Sequence, residues 1–203
     1  MKGANMTIYG VDDRFAIEPQ ADLSLCWAST VKAVAGYMGE KVDSQETLAN
    51  AYKNKTDGND VSKVLRQEYG IDSNILLDWR KQSESSADDA MIQDLELNLK
   101  YHLDKPLLCG LTAANFNRID NKPYRHATLI IGYDDVKQQV TIADPAQKND
   151  PKLKVATRDL VRGFMYMKKS SLGPRASQRI ASDSDNLLLK IYMLVEFDKK
   201  TTP

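Results

Sequence analysis

The sequence predicts an α+β fold, with a helical N-terminal lobe over about residues 1–104 packed on an antiparallel β-sheet lobe over about residues 105–203. Apolar residues between Leu25 and Leu103 recur at spacings of three and four, the period of amphipathic helices. After Pro106 the texture changes to short runs of branched and aromatic residues bounded by turns, which is the pattern of strands. There are no internal repeats, and the polar, serine-rich stretch 81–89 is the best internal linker. One domain of two closely joined lobes, spanning residues 1–203, is therefore expected.

In chain order, residues 1–19 read as irregular with a short strand over 6–9, and Pro19 restricts Glu18 and closes the lead-in. Leu25, Ala28, Val31, Val34, Ala35 and Met38 then mark a helix that Gly39 stops. Asp43 with Glu46 three residues on forms a capping box that opens a helix to about Lys53. Asp60 caps another helix over 61–69, closed by Gly70. Residues 75–79 read as a strand, and a helix over 87–103 carries Met91, Leu95 and Leu99 on one face, with Ser86 as its cap. The first half of the chain is thus expected to be nearly all helical. Strands follow over 107–111, 127–133, 140–143 and 187–197, the second and third joined as a hairpin through Tyr133 to Lys137. Residues 170–186, rich in Ser, Gly, Arg and Asp, read as a long exposed loop.

Bulk properties exclude several classes. Lys plus Arg and Asp plus Glu are 28 each, so the formal net charge is zero. A nucleic-acid binder that works by displacing counterions needs a basic face, which this balance does not supply. The cationic run of Lys168, Lys169, Arg175 and Arg179 reads as a solvated loop. The two cysteines, Cys26 and Cys109, are too few for a disulfide framework or a structural zinc site, and no metal or cofactor is expected. No apolar stretch reaches the length of a bilayer span, and residues 1–10 lack a signal-peptide pattern. The expected setting is the bacterial cytoplasm, or export without a cleaved signal through a specialised secretion system.

The stretch Gln20-Ala-Asp-Leu-Ser-Leu-Cys26-Trp27-Ala28 is the most informative. A cysteine at a helix start sits at the positive end of the helix dipole beside unpaired backbone N–H groups. That setting lowers a thiol pKa, and the thiolate is the nucleophile. Gln20, six residues upstream, is placed to fold back and aim its amide at a developing oxyanion. His126 heads the apolar strand His126-Ala-Thr-Leu-Ile-Ile-Gly-Tyr, and Asp144 follows the next strand, in Val140-Thr-Ile-Ala-Asp144-Pro145. If those strands pair, His126 and Asp144 meet side by side. A carboxylate on one imidazole nitrogen then fixes the tautomer and leaves the other nitrogen for Cys26. Nucleophile, base, orienting group and oxyanion donor make the full set for acyl transfer.

These residues resemble the papain-like cysteine peptidase superfamily, in which an oxyanion Gln, a Cys-Trp opening the central helix, a His and an Asn or Asp occur in this order. The later half resembles the bacterial branch that contains the double-glycine leader peptidases, and is also similar to papain-like effector proteases injected into host cells. The resemblance covers about residues 20–38 and 107–145. It implies a papain-like fold, with Cys26, His126, Asp144 and Gln20 as the catalytic residues. It implies a cysteine protease acting on a protein or peptide substrate, with a cognate inhibitor or immunity protein as partner if the enzyme is an effector or toxin. The chain departs from secreted papains in having few cysteines, Leu25 before Cys26, and Asp144 in place of Asn. With no propeptide, ATP-binding segment or transporter domain in the 203 residues, a transporter-coupled peptidase is not expected.

Competing residues read as structural. Cys109 lies mid-strand between Leu108 and Gly110 with no cap or base beside it, and reads as core. His102 ends a helix, where a histidine commonly serves the terminal carbonyls. Asp134 and Asp135 sit in the hairpin turn, away from His126. Trp27 reads as packing that shields the Cys–His contact from water, and is a candidate substrate contact. The same triad also serves deamidases, transglutaminases and peptidoglycan amidases, and a non-catalytic papain-like binding module is the alternative of another class.

Overall fold

The computed structural model describes residues 8–11, 13–22, 24–52, 59–80, 88–114, 125–171 and 184–199. The elements run β1 (Ile8–Gly10), α1 (Cys26–Tyr37), α2 (Gln45–Ala51), α3 (Asn59–Tyr69), β2 (Ile71–Asp78), α4 (Asp88–His102), β3 (Leu107–Ala113), β4 (Arg125–Asp134), β5 (Gln139–Ala143), β6 (Lys152–Ala156), α5 (Thr157–Arg162), β7 (Phe164–Lys168) and β8 (Asn186–Lys199). The fold is α+β, as expected. Among the described residues the strands form one antiparallel sheet in the order β2-β8-β3-β4-β5-β6, with β1 added to β4 and β7 to β8.

The sheet divides two cores. On one side α1, α2 and α3 bury Val31, Val34, Leu48, Val64 and Leu65 against Leu108, Ala127, Leu129 and Val195. On the other, α4 and α5 bury Leu95, Leu99, Leu160 and Val161 against Cys109, Ile130, Ile142 and Leu194. Strand neighbours such as Leu129 and Ile130 therefore belong to opposite cores, as the period of two requires. Both are fully buried, so truncating either to Ala removes about 2–5 kcal/mol of packing. This two-sided burial explains why β4 reads as a continuous apolar run.

The helices end as their sequences dictate. Past Tyr37, Glu40 N donates to Ala35 O at 2.9 Å and Gly39 N to Gly36 O at 3.0 Å, with Gly39 at φ +81°. This is the Schellman pattern, which favours glycine. Gly70 at φ +62° closes α3 in the same left-handed conformation. The start of α2 lies one residue later than the Asp43 box predicts, because Ser44 is the cap and its hydroxyl accepts from Thr47 N at 3.1 Å. The Ser86 cap and residues 81–87 of the 81–89 linker lie outside the described residues, as does most of the 170–186 loop, while Asp88 and Asp89 open α4.

Two further differences from the sequence reading matter. The strand read over 75–79 is longer and begins earlier, as β2 runs eight residues from Ile71 to Asp78 and pairs with β8 along the sheet edge. The segment 152–168, to which the sequence reading assigns no element, holds β6, α5 and β7. Both β7 and β2 pair with β8, at its start and its end respectively, so this 14-residue strand spans the sheet. Among the described residues no helix is long and apolar enough to cross a membrane.

Candidate active site

Cys26 is the first residue of α1 and is half-buried. The helix begins without a side-chain cap and without an acidic residue in its first turn. Its N-terminal N–H groups are therefore open to the sulfur. Burial pushes the Cys26 thiol up. The hydrogen bond and charge of His126, with the backbone N–H groups of Ala127 and Trp27, outweigh burial and bring it below its ordinary value.

His126 lies near the start of β4 and is 4% exposed. Leu129 pairs with Ala143 across the β4–β5 ladder, which sets the residue after β5 beside the first residues of β4. His126 Nε2 accordingly donates to Asp144 Oδ1 at 2.7 Å, and the imidazole also hydrogen-bonds the Cys26 sulfur. Burial alone lowers the imidazole pKa. The Asp144 carboxylate and the Cys26 sulfur overcome it and push His126 up to about 10. His126 thus favours the thiolate of Cys26, and the Cys26 sulfur favours the protonated imidazole.

Asp144 is 1% exposed and fully engaged. Its backbone N donates to Pro151 O at 2.7 Å, and Oδ1 also accepts from Ala146 N at 2.9 Å, which folds Asp144-Pro145 into a turn. Burial raises its pKa. Hydrogen bonding and charge from His126, with further bonds from Tyr166 and Ala146, leave it below the usual carboxylate range.

Tyr166 is a site residue that sequence reasoning missed. Its hydroxyl donates to Asp144 Oδ2 at 2.6 Å and lies 3.2 Å from His126 Nε2. Its ring is tilted against the imidazole at 5.7 Å between centroids, and Phe164 backs it edge-on. In the β7–β8 ladder Met165 pairs with Leu188 and Met167 with Leu187, so Tyr166 is the bulged residue. A bulge re-aims one side chain, here toward the His126–Asp144 pair. The alternating Phe164-Met-Tyr-Met run after Gly163 is the sequence signal for this strand; the bulge has none.

The remaining candidates are placed as follows. Gln20 is 9% exposed, and its backbone N donates to Pro145 O at 2.7 Å, which ties it to the residue after Asp144. Its Oε1 is buried without a hydrogen-bond partner. Trp27 is 4% exposed and packs edge-on against Tyr52 in the α1 core, leaving little of its ring for a substrate. Cys109 is fully buried on β3, and burial pushes its thiol up to about 12. His102 Nδ1 bonds Glu196 Oε2 at 2.9 Å at the far end of α4. Among the described residues no cluster of His, Cys, Asp or Glu is fit to hold a metal ion.

A thiol at a helix start, set against a buried imidazole–carboxylate pair on an antiparallel sheet, is the arrangement of the papain-like cysteine peptidases. Residues 13–170 match the Peptidase_C39 like family, and the chain belongs to it as a cysteine peptidase. The structure is similar to the peptidase domain of Streptococcus ComA, a bi-functional ABC transporter involved in a quorum-sensing pathway. The two share 13% identity over 92% of this chain and 99% of that one, with a TM-score of 0.48. It is also similar to a double glycine motif protease from an AMS/PCAT transporter in complex with the leader peptide, at 12% identity over 94% and 98% of the chains and a TM-score of 0.46. A comparison with curated proteins found no match.

Proposed function

We propose that the chain hydrolyses peptide bonds through a Cys26–His126–Asp144 triad with Gln20 as oxyanion donor. The observation that carries this reading is the continuous contact from the Cys26 sulfur through the His126 imidazole to the buried Asp144 carboxylate. The thiolate adds to the substrate carbonyl carbon, and the carbonyl oxygen takes up the negative charge. The Cys26 backbone N–H and the Gln20 amide hold that oxyanion. The C–N bond breaks as the His126 imidazolium protonates the leaving amine, giving a thioester on Cys26. Neutral His126 then takes a proton from water, whose hydroxide displaces the thiolate and releases the acid.

Tyr166 and Asp144 yield a prediction with a readable sign. Tyr166→Phe removes a donor from the carboxylate, so the Asp144 pKa rises and the acidic limb of activity moves to higher pH. The buried Oδ2 loses a partner, which costs about 1–3 kcal/mol of stability. Urea denaturation of the two proteins, alongside their pH–rate profiles, measures both effects.

The reaction class is tested by incubating the protein with a peptide library and reading product masses. Chain scission that depends on Cys26 supports hydrolysis of a peptide bond. A mass increase of about 1 Da on glutamine, or a cross-link, overturns it in favour of deamidation or transglutamination by the same thiol. Digestion of cell wall alone points to an amidase. The proposed use, as an effector or toxin acting on a protein of a target cell, is tested by expressing wild-type and Cys26→Ala chains in recipient cells. Growth arrest by the wild type alone supports it; equal growth contradicts it.

A further inference from the structure

Gln45 is the first residue of α2 and is 6% exposed. Its Nε2 donates to Pro19 O at 2.9 Å, and its Oε1 accepts from Ala21 N at 2.9 Å. The two ends of one amide therefore grip the backbone on either side of Gln20, in the only orientation that matches a carbonyl and an N–H. The flanking groups are also held. Ser29 Oγ donates to Glu18 O, and Gln20 N donates to Pro145 O. Residues 18–21 thus each have a backbone group bonded to α1, α2 or the loop after Asp144. Within this fixed strap, the Gln20 side-chain oxygen is the buried atom with no partner.

Capping does not explain Gln45, since Ser44 already caps α2. Burying a glutamine costs side-chain entropy and desolvation that an apolar residue would avoid. Its two bonds to the strap are what offset that cost. Resting on the reading of Gln20 as oxyanion donor, we propose that Gln45 is a positioning residue: it clamps the strap so that the Gln20 amide stands ready where the oxyanion forms.

The test compares two reactions of the full chain. Acylation by p-nitrophenyl acetate builds an oxyanion, whereas alkylation by iodoacetamide needs the thiolate alone. Rates are corrected by the Cys26→Ala background. Misplacing a positioned group by an ångström costs on the order of 10²-fold, so Gln45→Ala is expected to slow acylation by roughly 10- to 100-fold. Alkylation should stay within about twofold. Gln20→Ala should slow acylation by about 10²–10³-fold. In that background Gln45→Ala should add less than about twofold, because there is no longer a donor to position. Gln45→Glu keeps the acceptor for Ala21 and loses the donor to Pro19; it serves for the same cycle if the alanine variant does not fold. Parent-like acylation, equal losses with and without Gln20, or a parallel fall in alkylation each overturns the proposal. Acylation that does not depend on Cys26 at all overturns the reading beneath it instead.

Discussion

Cys26→Ala is expected to abolish peptide hydrolysis while leaving the fold intact. Removing the nucleophile of a catalytic unit acting as one costs on the order of 10⁶-fold in a well-studied hydrolase, and a loss of at least about 10⁴-fold is expected here. The fold should tolerate the change because Cys26 is half-buried at the helix start and its sulfur is held by the site. His126 keeps its 2.7 Å bond to Asp144 in this variant, so the melting temperature should change little. Circular dichroism with thermal melting, run beside the assay, separates lost chemistry from lost structure. The fully buried Cys109 provides the control, since Cys109→Ala should leave turnover unchanged.

His126→Ala is expected to have the second-largest effect, a loss of about 10²–10⁴-fold from removing the acid–base alone, with a further loss as the thiolate disappears. Without the imidazole, burial is the largest remaining influence on Cys26 and pushes its thiol up. The alkylation rate should therefore fall together with turnover. Asp144 is left buried without its principal partner, so this variant should also melt at lower temperature, unlike Cys26→Ala. His102→Ala breaks the bond to Glu196 at the end of α4 and should cost stability while sparing turnover.

The residues that meet at the site differ in how far the sequence discloses them. His126 and Asp144 are legible because each follows from a local pattern: one opens an apolar strand, the other closes the next, and adjacent antiparallel strands fix the rest. Cys26 is legible because the helical pattern opens at Leu25, which sets Cys26 in the first turn. Strand β2 is harder to read because its exposed middle, Ser73 to Ile75, lacks an apolar alternation, and its place is set by the long partner β8. Tyr166 is hidden for another reason. Its aim depends on a bulge against Leu187 and Leu188, a register fact that no local window contains. Gln45 is hidden most deeply, since its partners lie 24 and 26 residues away in an irregular strap. Gly110 shows the same limit: a Cβ there would lie 2.8 Å from the Tyr192 ring, a contact between strands distant in sequence.

The most direct measurement is the pH dependence of iodoacetamide alkylation at Cys26, followed by mass spectrometry of the peptide that contains it. The lowered Cys26 thiol faces an imidazole whose pKa is pushed up to about 10, so an ion pair across the neutral range is the expected result. Alkylation should then be fast and nearly level from about pH 6 to 8. It should rise only as the imidazolium is lost at higher pH. A rate that climbs about tenfold per pH unit toward the ordinary thiol value near 8.5 would contradict the thiolate–imidazolium pair, and with it the assignment of Cys26 as an activated nucleophile.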